Sequence, residues 1–331
     1  MADLIRKAQP TQSDVHVNAP LSNISIAYIQ SQGEFIADKV FPTVYVDKQT
    51  DLFWKYTKHD WFRDEAKLRG PSTESAGGGY NVSTDSYACN VYAFHKDIPD
   101  QVRANADMMD VDRDASLFVT HRLLLRREKI WAENYFATSK WGKDYTGVAA
   151  GEVAGTSFRQ WSDYSSSDPV SDIKTGKLYI KGTTGYRPNT LVLGEEVFES
   201  LKNHPDIIDR YKYTQSNVIT VDMLARLFEV DRILIAGAVY SADEELKTTP
   251  TYTWVMGKGA LLVYAAPNPS LLTPSGGYTF AWKGLTGLGF ATAISKFRMQ
   301  NLKSDRVEGE SAYDCKLVAN DMGVYFATAI V

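Results

Sequence analysis

A mixed α+β fold is predicted by three features of the sequence. Two strand-like runs flank a turn-rich tip, a long helix runs without Gly or Pro, and short strands alternate with helices after Tyr186. With 331 residues the chain can bury a substantial core without disulfides or metals. Hydrophobic residues make up 44% and charged residues 23%, which excludes disordered and low-complexity classes. The net charge of -4, from 36 Lys and Arg against 40 Asp and Glu, argues against bulk neutralisation of nucleic acid, because phosphate contacts need unopposed cations. Cys89 and Cys315 stand too far apart for a zinc site and are too few for a disulfide scaffold, so they read as buried thiols. The opening Met1 to Lys7 turns polar at once, and the longest apolar run, Ile233 to Ala242, is too short to span a bilayer. No targeting segment and no membrane association are expected, and the product is expected to be intracellular.

Residues 1–45 mix apolar residues with Pro10, Pro20, Gly33 and Pro42 and show only a short helix-like stretch around Ser22 to Gln32, the texture of an arm lying on something else. Residues 46–98 read as an extended β-hairpin. Val44 to Lys58 is rich in Val, Tyr, Phe and Trp, and Tyr80 to His95 places Tyr87, Cys89, Val91 and Ala93 at a spacing of two. Between them, Pro71-Ser72-Thr73 and Gly77-Gly78-Gly79 supply turn chemistry. The strands imply a reach of roughly 40 Å at 3.3 Å per residue. An isolated two-stranded ribbon is marginally stable, so it is expected to lean on another chain. Trp54, Tyr56, Trp61, Phe62, Arg63, Asp64 and Glu65, on or near the tip, are the candidate inter-subunit contacts, since aromatics are enriched at interfaces. For Trp54 and Tyr56 the plainer alternative is cross-strand pairing.

Residues 99–185 carry the strongest local signal, a helix from about Asp107 to Ser139. Asp107 can cap it, Asp110, Asp112 and Asp114 suit the positive end of its dipole, and no Gly or Pro interrupts it before Gly142. Val111, Phe118, Leu125 and Ala132, beside Leu117, Leu124 and Trp131, form one apolar stripe. At 1.5 Å per residue it spans roughly 45 to 50 Å, long enough to act as a spine. Arg122, Arg126, Arg127 and Lys129, with His121, make a basic patch that reads either as a contact for a polyanion or as a solvated helix face. Lys140 to Asp168 looks loop-like, and a second helix starts at Asp168-Pro169.

From 186 to 284 an α/β unit is expected. Strands are predicted at Thr190 to Leu193, Arg232 to Ala238, Tyr252 to Met256 and Ala260 to Ala265, and helices at Glu195 to Asn203 and Val221 to Phe228. In 285–331, Gly289 to Arg298, Glu308 to Val318 and Met322 to Val331 read as strands, the last two joined by a turn at Asn320-Asp321.

A search for chemistry finds no catalytic, cofactor-binding or metal-ligating constellation. Of the five histidines, His16, His59, His95, His121 and His204, no pair has helical ligand spacing. Asp110, Asp112 and Asp114 open like a calcium loop, but Ala115 stands where its Gly belongs and His121 where its closing Glu belongs. Gly257-Lys258-Gly259 and Gly176-Lys177 lack the remaining residues of a P-loop. The expectation is a protein that is not an enzyme and carries no cofactor.

The order of elements, together with Ile36-Ala37-Asp38-Lys39-Val40-Phe41-Pro42, Gln160-Trp161-Ser162-Asp163-Tyr164 and Gly185-Tyr186-Arg187-Pro188-Asn189-Thr190-Leu191-Val192-Leu193-Gly194, resembles the major capsid proteins of tailed bacteriophages. Leu201-Lys202-Asn203-His204-Pro205 and Leu224-Ala225-Arg226-Leu227-Phe228-Glu229-Val230 extend the resemblance along nearly the whole chain. It implies the phage major capsid fold: an N-terminal arm, an extended loop, a peripheral domain on the spine helix, an axial domain, and C-terminal strands returning to the peripheral domain. It further implies hexamers and pentamers closing into an icosahedral shell around double-stranded DNA, in the virion, after assembly in the host cytoplasm. Residues 122–129 would then lie on the inner surface. Only about 45 residues precede the hairpin, so a separate scaffold protein is expected, with a portal and a decoration protein as further partners. Some members of that family cross-link a loop Lys to a neighbouring Asn; Lys58 and Lys67 are the candidate donors here, and the plainer reading is a solvated Lys on the loop tip. The rival readings are an encapsulin-like nanocompartment shell and, from another class, a carbohydrate-active enzyme or binding protein using the tip aromatics.

Overall fold

The computed structural model describes residues 30–106, 110–211, 219–244, 247–270, 273–285 and 292–331. The axis of the first of its two main sheets is the long strand Ser304–Leu317. Asn90–Pro99, Thr292–Met299 and Gly277–Trp282 all pair with it antiparallel, and Thr43–Val46 adds to Gly277–Trp282 in parallel. The spine helix, Val111–Tyr135, lies across this sheet. The approach is close at Gly309, where a Cβ would come within 2.5 Å of Val119 Cγ1 and 2.9 Å of Leu123 Cδ1. Only the absence of a side chain lets helix and strand pack at this separation.

The spine is shorter than expected, 25 residues or about 37 Å. Its cap is Asp110, whose carboxylate accepts from the Arg113 N–H, while the expected Asp107 lies outside the described residues. At the other end the Trp141 indole N–H donates to the Tyr135 carbonyl at 2.7 Å, and Ser139 turns the chain with φ 62°. The buried face also differs from the predicted stripe. Ala115, Val119, Leu123, Glu128, Trp131 and Ala132 are buried, whereas Leu117 and Phe118 are exposed. Phe118 sits at the sheet margin, edge-on to Phe94, with Arg122 and Lys96 over its ring.

The second sheet has six strands in the order Ser157–Arg159, Lys143–Val148, Gly323–Ala327, Ala260–Val263, Thr190–Gly194, Arg232–Ala236. Its strands alternate between two cores. Leu191, Leu193, Leu262, Val324 and Phe326 face a core formed with the helices Pro169–Thr184, Glu195–Lys202, Pro205–Tyr211 and Val221–Phe228. Val192, Leu261, Val263 and Tyr325 face the other core, shared with Trp131 and Ala132 of the spine and with Ile36, Val40 and Phe41. Burial on both faces explains why these strands read as continuous apolar runs.

Local signals hold where the chain carries its own caps. Asp168 accepts from the Ser171 N–H, Pro169 occupies the first turn, and Gly185 ends that helix at φ 79°. The reading fails in four places where partners come from far along the chain. Lys140 to Asp168 is not a loop, since Lys143–Val148 pairs in parallel with Gly323–Ala327. The last two strands form no hairpin: the turn Asn320–Met322 passes the chain from the first sheet into the middle of the second. Tyr80 to His95 is not one strand, because pairing changes at Cys89 and with it the exposed face, so that Tyr87 and Cys89 are buried but Val91 is exposed. Finally, the end of the arm is a core element of its own subunit. Phe35, Ile36, Ala37, Val40 and Phe41 are buried, their spacing fitting one helical turn, Ala37–Val40. The helix-like stretch from Ser22 falls mostly outside the described residues, and Gln32–Glu34 is a single 3-10 turn.

Cys89 is buried and Cys315 half-buried, and both are free. Burial pushes both thiols up, Cys89 to about 11, which leaves them protonated and unreactive.

Candidate assembly surfaces

The ribbon pairs Thr50–Tyr56 with Val82–Ala88 and ends in a tip of residues 57–81 that includes the short helix Lys58–Trp61. Its two faces behave differently. Inward, Phe53 lies 5.5 Å from Phe280, and Tyr87 stacks on Phe280 at 4.5 Å, fastening the base of the ribbon to the first sheet. Outward, Leu52, Trp54 and Tyr56 are exposed, Trp54 by 65%. Their cross-strand neighbours, Ser86, Thr84 and Val82, are too small to cover them, so cross-strand pairing does not account for these rings.

At the tip, Tyr56, Trp61 and Tyr80 gather with ring centroids 5.5 to 6.2 Å apart. Trp61 stays 59% and Phe62 61% exposed. Arg63 pairs with Glu65, while Asp64 is exposed beside them. Lys58 forms an ion pair with Asp321 of its own chain, and the Asp60 carboxylate accepts from the Asn81 N–H at 2.8 Å. Of the candidate contact residues, Tyr56 and Trp61 thus meet in one ring cluster with Tyr80, while Trp54 and Phe62 remain largely exposed.

The basic patch on the spine divides. Arg122, Arg126 and Lys129 share one helical face, with Arg122 over Phe118 and Lys129 over Tyr240 and 3.9 Å from Glu133. Arg127 turns instead onto the Tyr313 ring, 5.0 Å from its centroid. Three cations on a partly neutralised face are far short of a nucleic-acid-binding groove.

One constellation superficially resembles hydrolase chemistry. Ser167 and His204 are buried with Oγ and Nε2 2.9 Å apart, and Asp206 follows. The protons run the wrong way. The Ser167 hydroxyl donates to the Asp163 carbonyl at 2.6 Å, and the Asp206 backbone N–H points at Nδ1, so Nε2 carries the imidazole proton and donates to Ser167. Burial holds the His204 pKa below its usual value. An imidazole in this tautomer cannot take the serine proton, so the contact joins the loop before Pro169–Thr184 to the turn after Glu195–Lys202. Among the described residues no group of three or more His, Cys, Asp and Glu could hold a metal, and no helix is long and apolar enough to cross a membrane.

Sequence reasoning missed Glu128. Its carboxylate is 0% exposed on the spine helix and reaches the arm, where Oε2 accepts from the N–H groups of Ile36 at 3.0 Å and Ala37 at 2.9 Å, and Oε1 from Ile36 at 3.2 Å. A glutamate among helix charges ordinarily reads as solvated, and the only available signal was its position on the buried side of Trp131 and Ala132.

This architecture, with a long helix across one sheet, an α/β unit and a projecting ribbon, is similar to that of phage capsid structures. A family model for phage major capsid protein E matches residues 135–271. The major capsid protein of Burkholderia phage BcepMu is 28% identical over 278 residues, 81% of this chain and 84% of that protein. Among solved structures, a phage-related protein from Bordetella bronchiseptica RB50 superposes with a TM-score of 0.67 at 24% identity, over 91% of this chain and 93% of that one. The capsid of cyanophage P-SCSP1u gives 0.61 at 9% identity, over 95% and 93%. In sequence and in fold the chain is similar to phage major capsid proteins.

Proposed function

We propose that copies of this chain assemble as hexamers and pentamers into an icosahedral shell that encloses double-stranded DNA. The observation that carries the reading is the ribbon's aromatic face, Trp54, Tyr56, Trp61 and Phe62, which a second copy would cover. In this reading 46–98 is the extended loop, 99–185 the peripheral domain, 186–284 the axial domain and 285–331 the returning strands. Arg122, Arg126 and Lys129 face the DNA, and the mildly acidic balance keeps the wall from gripping it. A separate scaffold protein, a portal and a decoration protein are the other partners, assembly takes place in the host cytoplasm, and the role is structural, without catalysis. Particles containing this chain, isolated from the producing host and treated with nuclease, are expected to retain double-stranded DNA. Closed particles filled with protein and lacking protected DNA would overturn the reading in favour of a nanocompartment.

A further inference from the structure

The arm and the spine meet at a single buried carboxylate. Ala37–Val40 is too short a helix to supply its own cap, and the residue before it, Ile36, has no side-chain acceptor. Its leading N–H groups are satisfied instead from the spine by Glu128, through three contacts of 2.9 to 3.2 Å. Such groups must find acceptors when buried. On either side of this point the arm is fixed by packing and by polar contacts. Phe41 packs edge-on against Trp131, Tyr135 and Trp141, the Arg232 guanidinium donates to the Val40 carbonyl, and the Gln30 amide pairs with both backbone groups of Val239.

We propose that Glu128 is a proton-linked latch that positions the arm on the spine and holds it less tightly as the pH rises. Docking the arm seals the carboxylate from water, which disfavours its charged form, whereas an undocked arm exposes it to solvent. The two oxygens are unequal. Oε2 takes the two shorter contacts and Oε1 the longer one, so both arm N–H groups keep Oε2 as acceptor in either protonation state.

The groups facing the carboxylate are few. Asp38 on the arm raises its pKa and Arg127 on the spine lowers it. Lys39 is drawn away to the Gly33 carbonyl, and Arg232, from the second sheet, is engaged at Val40. His121, two turns earlier on the spine, lies edge-on to Phe35, with burial holding its pKa below the usual value. Burial is the largest influence and outweighs the N–H bonds, pushing Glu128 from the ordinary 4.5 to about 7.

The sign follows from linkage. The docked state holds a proton that the released state gives up at lower pH, so raising the pH favours release. With these two values the opening equilibrium rises about tenfold between pH 6 and pH 8. The proposal does not depend on shell formation and can be read on unassembled full-length subunits.

Amide hydrogen exchange at Ile36 and Ala37, corrected for the chemical exchange rate, tests it across that range. In the wild type, protection should fall about tenfold while the amides of the central strand Ala260–Val263 stay unchanged. In Glu128→Gln, which keeps an amide oxygen for Ala37 but cannot titrate, protection should be independent of pH. Equal protection at both ends of the range in the wild type, or the wild-type profile persisting in Glu128→Gln, would overturn the latch.

Discussion

Deleting residues 61–79 is expected to leave the subunit folded and to abolish closed shells. The segment contributes no residue to any of the buried clusters, and the Phe53 and Tyr87 contacts with Phe280 that hold the ribbon base lie outside it. The loss to subunit stability should stay within about 1 kcal/mol, as for other changes away from the core. What disappears is Phe62 together with Trp61, the ring that packs on both Tyr56 and Tyr80. Buried aromatic anchors of an interface commonly cost about 2 kcal/mol or more each when truncated, and a shell repeats that loss at every subunit contact. The check is paired: denaturation of the deleted subunit, and electron microscopy of its assembly products. A folded deletion variant that still closes into normal particles would remove the ribbon from the list of interface elements.

Trp161→Ala should have the opposite profile, a large loss within the subunit. Trp161 is 0% exposed, packs on Phe158 and Phe326, and donates its indole N–H to the Asp172 carboxylate at 2.9 Å. Truncating a buried Trp costs about 3–5 kcal/mol, from lost burial and the cavity left behind. Asp172 adds to this. Burial already raises its pKa to about 6, and the indole bond is what opposes the shift. Without that donor the carboxyl is pushed further up, so the penalty should grow as the pH rises and the group must ionise inside the fold. The shift in urea midpoint between wild type and variant, measured at pH 5 and pH 8, reads both effects. A loss below about 1 kcal/mol at either pH would mean that the site repacks and that the α/β core is not organised around this ring.

Much of this architecture is legible in the sequence because its signals are local. The helix Val221–Phe228 has the predicted bounds, since the Thr220 hydroxyl caps it and its apolar positions fall on one face. The aromatic face of the ribbon is legible for the same reason: alternation over a few residues decides which rings point outward. Illegible elements owe their state to residues outside their own stretch of sequence, from about 30 to more than 200 positions away. Lys143–Val148 is a strand because Gly323–Ala327 lies beside it, and Gly277–Trp282 because Ser304–Leu317 and Thr43–Val46 flank it. The arm reads from its sequence as lying on something else because its prolines and glycine are obvious, whereas its buried turn needs the spine and the second sheet to exist first. Glu128 was hidden for the opposite reason, since nothing in a helical sequence distinguishes a carboxylate facing backbone N–H groups from one facing water.

The central claim is that surfaces left uncovered on one subunit are covered by another copy. Sedimentation velocity of the purified full-length protein over a wide concentration range tests it most directly. Fast-sedimenting capsomers or shells are predicted, replaced by slower species when Trp54 and Trp61 are changed to Ala. A single species of 37.0 kDa at every concentration, with the ribbon already protected from proteolysis, would contradict it.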